Sequence, residues 1–163
     1  MGAGNVDPTR VGLISDTHGL LRPEAVDALR GSDLIVHAGD VGHPRIVEEL
    51  SRIAPVTVVR GNIDTEPFAS RWPPWAEVAA AAISIYVIHD IAQLDIDPAA
   101  AGYRVVVFGH SHQPGWSERR GVLFVNPGSA GPRRFKLPVS VGLLDIEGAS
   151  VTPRLVTLPL PTR

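Results

Sequence analysis

Residues 11–19 read VGLISDTHG, a short apolar run that ends at two side chains able to bind a metal, Asp16 and His18. Residues 34–37 and 56–60 repeat this form, and all three runs are predicted to be buried strands. A polar residue that follows a buried strand lies at the edge of a sheet, where the ligands of α/β proteins gather. The strand ends are therefore where function is expected.

Two helical segments separate these three strands. Residues 23–30 and 44–53 carry apolar side chains at helical spacing, and each begins with a proline, which the first turn of a helix tolerates. Strands that alternate with helices are joined by right-handed crossovers and form a largely parallel sheet. The N-terminal part of the chain thus predicts a β-α-β-α-β unit.

The rest of the chain has a different pattern, in which one strand follows another. Only residues 91–101 can hold a further short helix, and residues 65–76 are predicted to be an irregular loop because they are rich in proline. We expect two sheets within a single domain that spans residues 1–163. The predicted strands of this part are residues 83–88, 104–109, 122–125, 139–146 and 151–158.

Composition and charge exclude several classes of protein. Of the 163 residues, 44% are hydrophobic and 20% are charged, as in an ordinary globular domain. No apolar run approaches the roughly 20 residues of a membrane span, and a net charge of −2 gives no general attraction to nucleic acids. Cysteine is absent, which excludes disulfides and thiolate metal sites. Residues 1–7 lack the features of a secretory signal, so a cytoplasmic location is expected.

Side chains that can ligate metals follow five of the predicted strands. Asp16 and His18 stand two residues apart, and His110 and His112 repeat this spacing. Residues two apart on an extended segment point the same way, so each pair can hold one cation. Carboxylate, amide oxygen and imidazole groups suit hard or borderline divalent cations. The five sequences are Asp16-Thr17-His18, Gly39-Asp40, Gly61-Asn62-Ile63-Asp64, His89-Asp90 and Gly109-His110-Ser111-His112.

Each of these sequences alone has an ordinary structural explanation. An aspartate after a strand is often a helix cap, and an isolated histidine is often a surface or core residue. Five such sequences in order on one expected edge are hard to explain as caps and turns, and they predict a metal site. The glycines before Asp40, Asn62 and His110 fit this prediction, because the backbone must turn sharply and pack closely where ligands converge.

In these sequences the chain resembles the calcineurin-like metallophosphoesterases, and within them the small phosphodiesterases without a cap, a branch that includes the retromer-subunit fold. The family pattern D-x-H, GD, GN, H and GHxH is matched in order, and residues 126–129, NPGS, are similar to a turn common in this branch. The resemblance covers nearly the whole chain. It implies a four-layer α/β/β/α sandwich of two mixed sheets flanked by helices, with the site at the sheet edges.

The resemblance also implies how the site is built and what it does. The implied activity is hydrolysis of a phosphate ester, foremost a phosphodiester, by a hydroxide that bridges two divalent cations. Manganese is the expected metal, with iron, zinc and nickel as alternatives. Asp40, Asn62 and His89 are the residues expected to be catalytic. The implied ligands of one cation are Asp16, His18 and His112, those of the other are Asn62, His89 and His110, and Asp40 bridges both.

Three positions beside these ligands need their own interpretation. Larger family members carry His in the motif GNHD where this chain has Ile63, so no general acid is expected there. Asp90 replaces a glycine that often follows the metal-binding His, and it adds negative charge near the site. Asp64 is expected either to orient a ligand or a water molecule, or to stabilise a turn.

Other polar residues are expected to have ordinary roles. His37 lies inside a predicted strand and His43 just before a predicted helix, and a structural role is expected for both. Arg133 and Arg134 follow the NPGS turn, where they can meet a phosphate or belong to a solvated loop, and the solvated loop is the expectation.

The leading functional hypothesis is a metal-dependent phosphodiesterase that acts on a small-molecule phosphate ester, because the ligand set is complete and no cap segment encloses the site. The alternative is a non-catalytic scaffold for protein interaction, because the related retromer subunit uses this fold chiefly for binding. A scaffold can lose metal ligands without harm, and here every expected ligand is present. A third option is a metal-bound regulatory domain without turnover. The sequence is compatible with a homo-oligomer.

Overall fold

A computed structural model of the protein describes residues 8–65 and 67–160, so the N-terminal residues examined for a secretory signal lie outside the described part. The described residues contain the α-helices α1 (Pro23–Leu29) and α2 (Pro44–Ser51), and the 3-10 helices Pro67–Arg71 and Ile91–Gln93. They form two five-stranded sheets. The strands are β1 (Thr9–Ile14), β2 (Leu34–His37), β3 (Val56–Val58), β4 (Trp75–Ala80), β5 (Ile83–Ile88), β6 (Val105–Val107), β7 (Gly115–Arg119), β8 (Val122–Asn126), β9 (Ser140–Glu147) and β10 (Ser150–Thr157).

The first sheet contains the predicted β-α-β-α-β unit. Its strand order is β10-β9-β1-β2-β3, and β1, β2 and β3 are parallel. The strand β9 returns antiparallel beside β1, and β10 pairs antiparallel with β9 at the edge of the sheet. The helices α1 and α2 cover the outer face of this sheet, where Leu29 and Leu50 are buried with Ile14 and Ile35. Parallel strands joined by helices bring the carboxyl ends of β1, β2 and β3 to one edge.

The second sheet has the order β4-β5-β6-β8-β7, with β5, β6 and β8 parallel and the two edge strands antiparallel. Neither edge strand was predicted. Residues 65–76 are not an irregular loop throughout, because they contain a 3-10 helix and Trp75 begins β4. Side chains of β4 alternate between exposed and partly buried, and those of β7 are mostly exposed. An edge strand with so little buried surface leaves a weak apolar pattern in the sequence.

The two sheets pack face to face around the main core. Val11 and Leu13 of β1 point into this core, where they meet residues of the second sheet such as Ile85 and Val105. Because side chains alternate along a strand, Ile14 points to the opposite face and the helices. Among the described residues, no helix is long and apolar enough to cross a membrane.

The outer face of the second sheet carries the fourth layer of the sandwich. Residues 91–103 cover it, with Leu94 and Tyr103 packed against Tyr86 and Phe124. In place of the short helix predicted within residues 91–101, this segment forms turns and the single 3-10 helix Ile91–Gln93. The predicted two-sheet sandwich is therefore confirmed, and its fourth layer is mostly irregular.

Candidate metal centre

The loops that follow β1, β2, β3, β5 and β6 meet at one edge of the sandwich. The N–H of Gly109 donates to the carbonyl oxygen of His89 at 2.9 Å, which joins two loops of the second sheet. Two further bonds cross between the sheets: the N–H of His110 donates to Asp16 Oδ2 at 3.1 Å, and the Nδ1–H of His89 donates to the Ala38 carbonyl oxygen at 2.7 Å. Both sheets therefore contribute to one site.

Asp16 is fully buried at the centre of this site. Its Oδ2 accepts hydrogen bonds from Ser15 Oγ at 2.7 Å and from the N–H of His110 at 3.1 Å. Its Oδ1 has no hydrogen-bond partner. One oxygen thus fixes the carboxylate and the other remains for a ligand. Three histidine Nε2 atoms face this free oxygen, those of His112 at 3.3 Å, His18 at 3.8 Å and His89 at 3.9 Å.

Asp40 is arranged in the same way. Its Oδ1 accepts a hydrogen bond from the N–H of Ile63 at 3.1 Å. Its Oδ2 lies 3.5 Å from His18 Nε2 and 3.3 Å from His89 Nε2, which belong to the two different ligand sets that the resemblance implies. Burial favours the neutral carboxyl, but hydrogen bonds with His89 and the Ile63 N–H hold the pKa of Asp40 below its ordinary value. Asp40 is therefore a carboxylate that faces both sets.

The amide oxygen of Asn62 points at acceptor atoms. It lies 3.2 Å from His89 Nε2 and 3.2 Å from each carboxylate oxygen of Asp40. Rotating the amide would place an N–H donor against the same three atoms and satisfy them without a metal, whereas a cation among them would be met by the amide oxygen. Burial opposes a charge on His89, yet the hydrogen bond with Asp40 and the charge of Asp16 raise the pKa of its imidazole.

The four histidines form two pairs of rings. The centroids of His18 and His112 lie 5.3 Å apart, and those of His89 and His110 lie 5.2 Å apart. These pairs coincide with the two expected ligand sets. His18 Nε2 and His112 Nδ1 are buried without a hydrogen-bond partner. Burial lowers the pKa of His112 and so favours the neutral imidazole that binds metals.

The donor set fits a divalent cation. The ligand atoms of Asp16, His18 and His112 lie within 4.8 Å of one another, as do those of Asp16, Asp40 and His89. Buried oxygen and nitrogen lone pairs that face each other without a donor are costly, and a cation removes that cost. Imidazole with carboxylate suits the metals predicted from the sequence.

His110 is less completely placed than the other expected ligands. Its ring is next to that of His89, but its Nε2 lies 4.0 Å from Asp90 Oδ2. The Oδ1 of Asp90 accepts the N–H of Ala92 at 3.0 Å and so caps the 3-10 helix that follows β5. The side chain of His110 is 47% exposed. This side of the centre is open to water.

Five of the seven expected ligands adopt a left-handed backbone conformation. A positive φ is rare for residues other than glycine and costs on the order of 1–3 kcal/mol. Residues in this conformation cluster at functional sites. No sequence pattern indicated this feature, because it arises only when the loops meet. The φ angles are 55° for Asp16, 46° for His18, 55° for Asp40, 71° for His110 and 62° for His112.

Two glycines allow the loops to approach this closely. A Cβ atom on Gly61 would lie 2.1 Å from Asp40 Oδ1, and one on Gly109 would lie 2.1 Å from Ser15 Oγ. A side chain at position 61 would displace the carboxylate of Asp40. A side chain at position 109 would displace the Ser15 hydroxyl, which fixes the carboxylate of Asp16. The close packing expected of these glycines is therefore present.

Asp64 fixes the loops that carry Asp40 and Asn62. Its carboxylate accepts hydrogen bonds from the N–H groups of Val41 at 3.1 Å, Gly42 at 3.0 Å and Gly61 at 2.8 Å. Of the two roles considered for this residue, the stabilisation of turns is the one that these contacts support. It joins the loop after β2 to the loop after β3.

Asn126 has a similar role on the second sheet, which the sequence did not reveal. Its Nδ2 donates to the Gly109 carbonyl oxygen and to Ser111 Oγ, each at 3.1 Å, and its Oδ1 accepts the N–H of Gly128 at 2.9 Å. The NPGS turn thus holds the loop that carries the last two histidines. The motif was recognised from the sequence, but its contacts depend on the fold.

His37 and His43 lie outside the ligand cluster. The buried His37 accepts the N–H of Gly39 at Nδ1, at 3.1 Å, and its Nε2 is 3.0 Å from Thr17 Oγ1. Burial lowers the pKa of His37 to about 4, so it is neutral at pH 7. His43 caps α2 by accepting the N–H of Arg45 at 3.1 Å. Both histidines make structural contacts, as expected.

Comparison with known proteins identifies the family. Residues 9–149 match the calcineurin-like phosphoesterase superfamily domain. A probable metallophosphoesterase of Methanothermobacter thermautotrophicus is 35% identical over 163 residues, which cover 93% of this chain and 94% of that protein. The Escherichia coli phosphodiesterase YfcE is 29% identical over 161 residues, which cover 84% and 88% of the two chains.

A solved structure shows the same fold. Vps29 of Chaetomium thermophilum superposes with a TM-score of 0.75 at 19% identity, over 94% of this chain and 98% of that one. The sandwich described above is therefore an established architecture. The domain match extends over most of the chain and confirms the prediction of a phosphoesterase with candidate metal ligands. The chain belongs to the calcineurin-like phosphoesterase superfamily.

Proposed function

We propose that the protein is a phosphodiesterase that holds two divalent cations, with manganese as the expected metal. The ligands are Asp16, His18 and His112 on one side, Asn62, His89 and His110 on the other, and Asp40 between them. The observation that carries this proposal is the convergence of the imidazole nitrogens of His18, His89 and His112 on Asp16 Oδ1 and Asp40 Oδ2.

The side chains of the centre hold charge in fixed positions. When bound, two divalent cations lower the pKa of water and neutralise negative charge on phosphate oxygens. Asp16 and Asp40 each use one oxygen to fix the carboxylate and direct the other into the centre. Asn62 adds an oxygen without a negative charge, so it does not repel a phosphate. His89 is oriented by its Nδ1–H bond to Ala38, which directs Nε2 inward.

A diester substrate is supported by the open side of the centre and by a relative. Asn62 is exposed, and nearly half of the His110 side chain is exposed, so a substrate has access from solvent. The YfcE relative, which is named a phosphodiesterase, matches most of the chain. An open site leaves room for both arms of a diester, whereas an enclosing cap would favour a small monoester.

The leaving group is expected to depart without help from residue 63. Ile63 is 40% exposed and has no proton to donate, although its N–H fixes Asp40. Proton donation typically contributes about 10² to 10⁴ in rate. Esters whose leaving group is a stable anion should therefore be the better substrates.

The test is a panel of phosphomonoesters and phosphodiesters with metal-free protein and added Mn²⁺, Fe²⁺, Zn²⁺ or Ni²⁺. We expect metal-dependent cleavage of aryl diesters, with a higher kcat/KM than for the matched aryl monoesters. Faster cleavage of monoesters would contradict the proposed substrate class. Metal binding without turnover of any ester would instead favour one of the two alternatives, a scaffold for protein interaction or a regulatory domain.

A further inference from the structure

A cavity of about 280 Å³ opens beside the second ligand set. Asn62, His89 and His110 form one wall of it. This volume is at the small end of the range for small-molecule sites, so the cavity fits a short substrate arm and not a long chain. The remaining wall is formed chiefly by residues with no expected part in metal binding, Arg60, Pro74, Ile88, Asp90 and Gln93.

Arg60 is the cation of this cavity. Its backbone N–H donates to the Pro73 carbonyl oxygen at 2.9 Å, which fixes the start of its side chain. Its guanidinium makes one long hydrogen bond, from Nη1 to the Trp72 carbonyl oxygen at 3.4 Å. No carboxylate among residues 8–65 and 67–160 lies within ion-pair distance of Arg60. Against the described residues, most of its five N–H donors therefore remain for a ligand.

The other groups of the wall do not compete for that role. The carboxylate of Asp90 caps the 3-10 helix through Ala92, and its second oxygen faces His110. Pro74 and Ile88 are apolar, and Gln93 carries a neutral amide. The cavity thus joins expected metal ligands at one wall to a guanidinium at another, and that guanidinium has no carboxylate partner in the described part of the chain.

We propose that this cavity receives an ester arm that carries a second phosphate, which Arg60 binds. The proposal rests on the proposed function and names the substrate class of the same site: small phosphodiesters in which one arm ends in a further phosphate. The planar guanidinium matches a phosphate with two parallel hydrogen bonds. Arg60 is then the residue that selects the substrate, while the ligand residues act on the scissile phosphate.

The test uses non-hydrolysable probes and measures binding. Alkylphosphonates and α,ω-alkanediphosphonates with two, three or four carbons are titrated by calorimetry into Mn²⁺-loaded protein, with matched titrations into the same buffer without protein. At one chain length or more, the diphosphonate should bind about 10- to 100-fold more tightly than the monophosphonate, as expected of hydrogen bonds between charged groups. Arg60→Gln should reduce this preference to the twofold statistical factor.

Two control variants remove the same charge elsewhere. Arg71→Gln changes an exposed arginine of the 3-10 helix Pro67–Arg71 that lines a different groove, and it should keep the preference. Arg134→Gln changes the arginine whose charge acts on His112, and it should keep the preference as well. Loss of the preference in Arg134→Gln but not in Arg60→Gln would overturn the proposal, as would equal binding of both probes to the native protein.

These results are independent of turnover. If the probes bind as expected but no ester is cleaved, the assignment of Arg60 holds and the proposed function fails. If aryl diesters are cleaved but Arg60→Gln keeps the diphosphonate preference, the proposed function holds and the assignment of Arg60 fails.

Discussion

The two ligand sets of the centre differ in their exposure. On one side, Asp16 is 0% and His112 is 3% exposed. On the other side, Asn62 is exposed, the side chain of His110 is 47% exposed, and the cavity with Arg60 adjoins them. Charges interact more strongly where water is excluded. We infer that the buried set binds its cation more tightly and that the open set meets the substrate.

The largest effect is expected from Asp40→Asn, which removes the charge between the two sets without changing the size of the side chain. We expect a loss of at least about 100-fold in kcat/KM, as is typical when a group that stabilises transition-state charge is removed. His43→Ala is the control, because His43 lies outside the cluster. Circular dichroism and thermal unfolding would show that both variants are folded. Equal activity of the two variants at saturating metal would contradict the role of Asp40.

Acid should destabilise the fold through His37. The folded-state pKa of about 4 lies below the ordinary value of 6.5, because burial disfavours the charged imidazole. The free energy of unfolding is therefore unaffected by protonation of His37 above pH 6.5. It decreases as the pH falls from 6.5 toward 4, because the imidazole binds a proton in the unfolded state but not in the folded state. A shift of this size corresponds to about 3 kcal/mol in the free energy of unfolding. Urea unfolding of metal-free protein between pH 6.5 and 5 would measure the loss.

Two variants separate His37 from other titrating groups. His37→Gln should reduce the slope of the unfolding free energy against pH over this range, because the imidazole of His37 then no longer gains a proton on unfolding. His43→Gln changes an exposed histidine and should keep the native slope. The same slope in native protein and His37→Gln would show that His37 does not govern the loss.

Gly61→Ala should weaken mainly the open set. The added Cβ would push against Asp40 Oδ1 and shift the turn that carries Asn62. Such changes around metal ligands typically lower metal affinity or activity about 10- to 100-fold. Gly115→Ala is the control, because its Cβ would meet no atom within 4 Å. Metal titration would detect the difference, and unchanged affinity in Gly61→Ala would mean that the loop adapts without cost.

The sequence predicted both sheets apart from the two edge strands of the second sheet, and it did not predict the backbone conformations of the candidate ligands. Runs such as β5 and β6 are buried, so their apolar character is unambiguous, whereas the exposed edge strands β4 and β7 have no such pattern. The candidate ligands lie close together because strands that end at one edge bring their next residues together. The left-handed conformation of Asp16 and the contact of His110 with Asp90 depend on loops distant in sequence. The division of the ligands between two cations, the choice of manganese and the cytoplasmic location stay predictions.

The smallest effect is expected from Ile63→His on the open side of the centre. The exposed position next to Asn62 can present an imidazole to a leaving oxygen. We expect about a tenfold gain in kcat/KM for alkyl diesters and little change for aryl diesters. The gain is smaller than the about 10² to 10⁴ of an established proton donor, because the surrounding site does not orient the new imidazole. A series of diesters with graded leaving-group pKa would reveal this gain. In the variant, kcat/KM should fall less steeply with rising leaving-group pKa than in the native protein. Equal slopes would show that another residue or water supplies the proton.

The central claim is that Asp16 and Asp40 organise two cation sites of unequal exposure. The most direct test is metal analysis and calorimetric titration of metal-free protein reconstituted with excess Mn²⁺. We predict close to two Mn²⁺ per chain in two affinity classes, with Asp40→Asn losing at least the weaker one. A reproducible maximum of one Mn²⁺ per chain in the native protein would contradict the dinuclear centre.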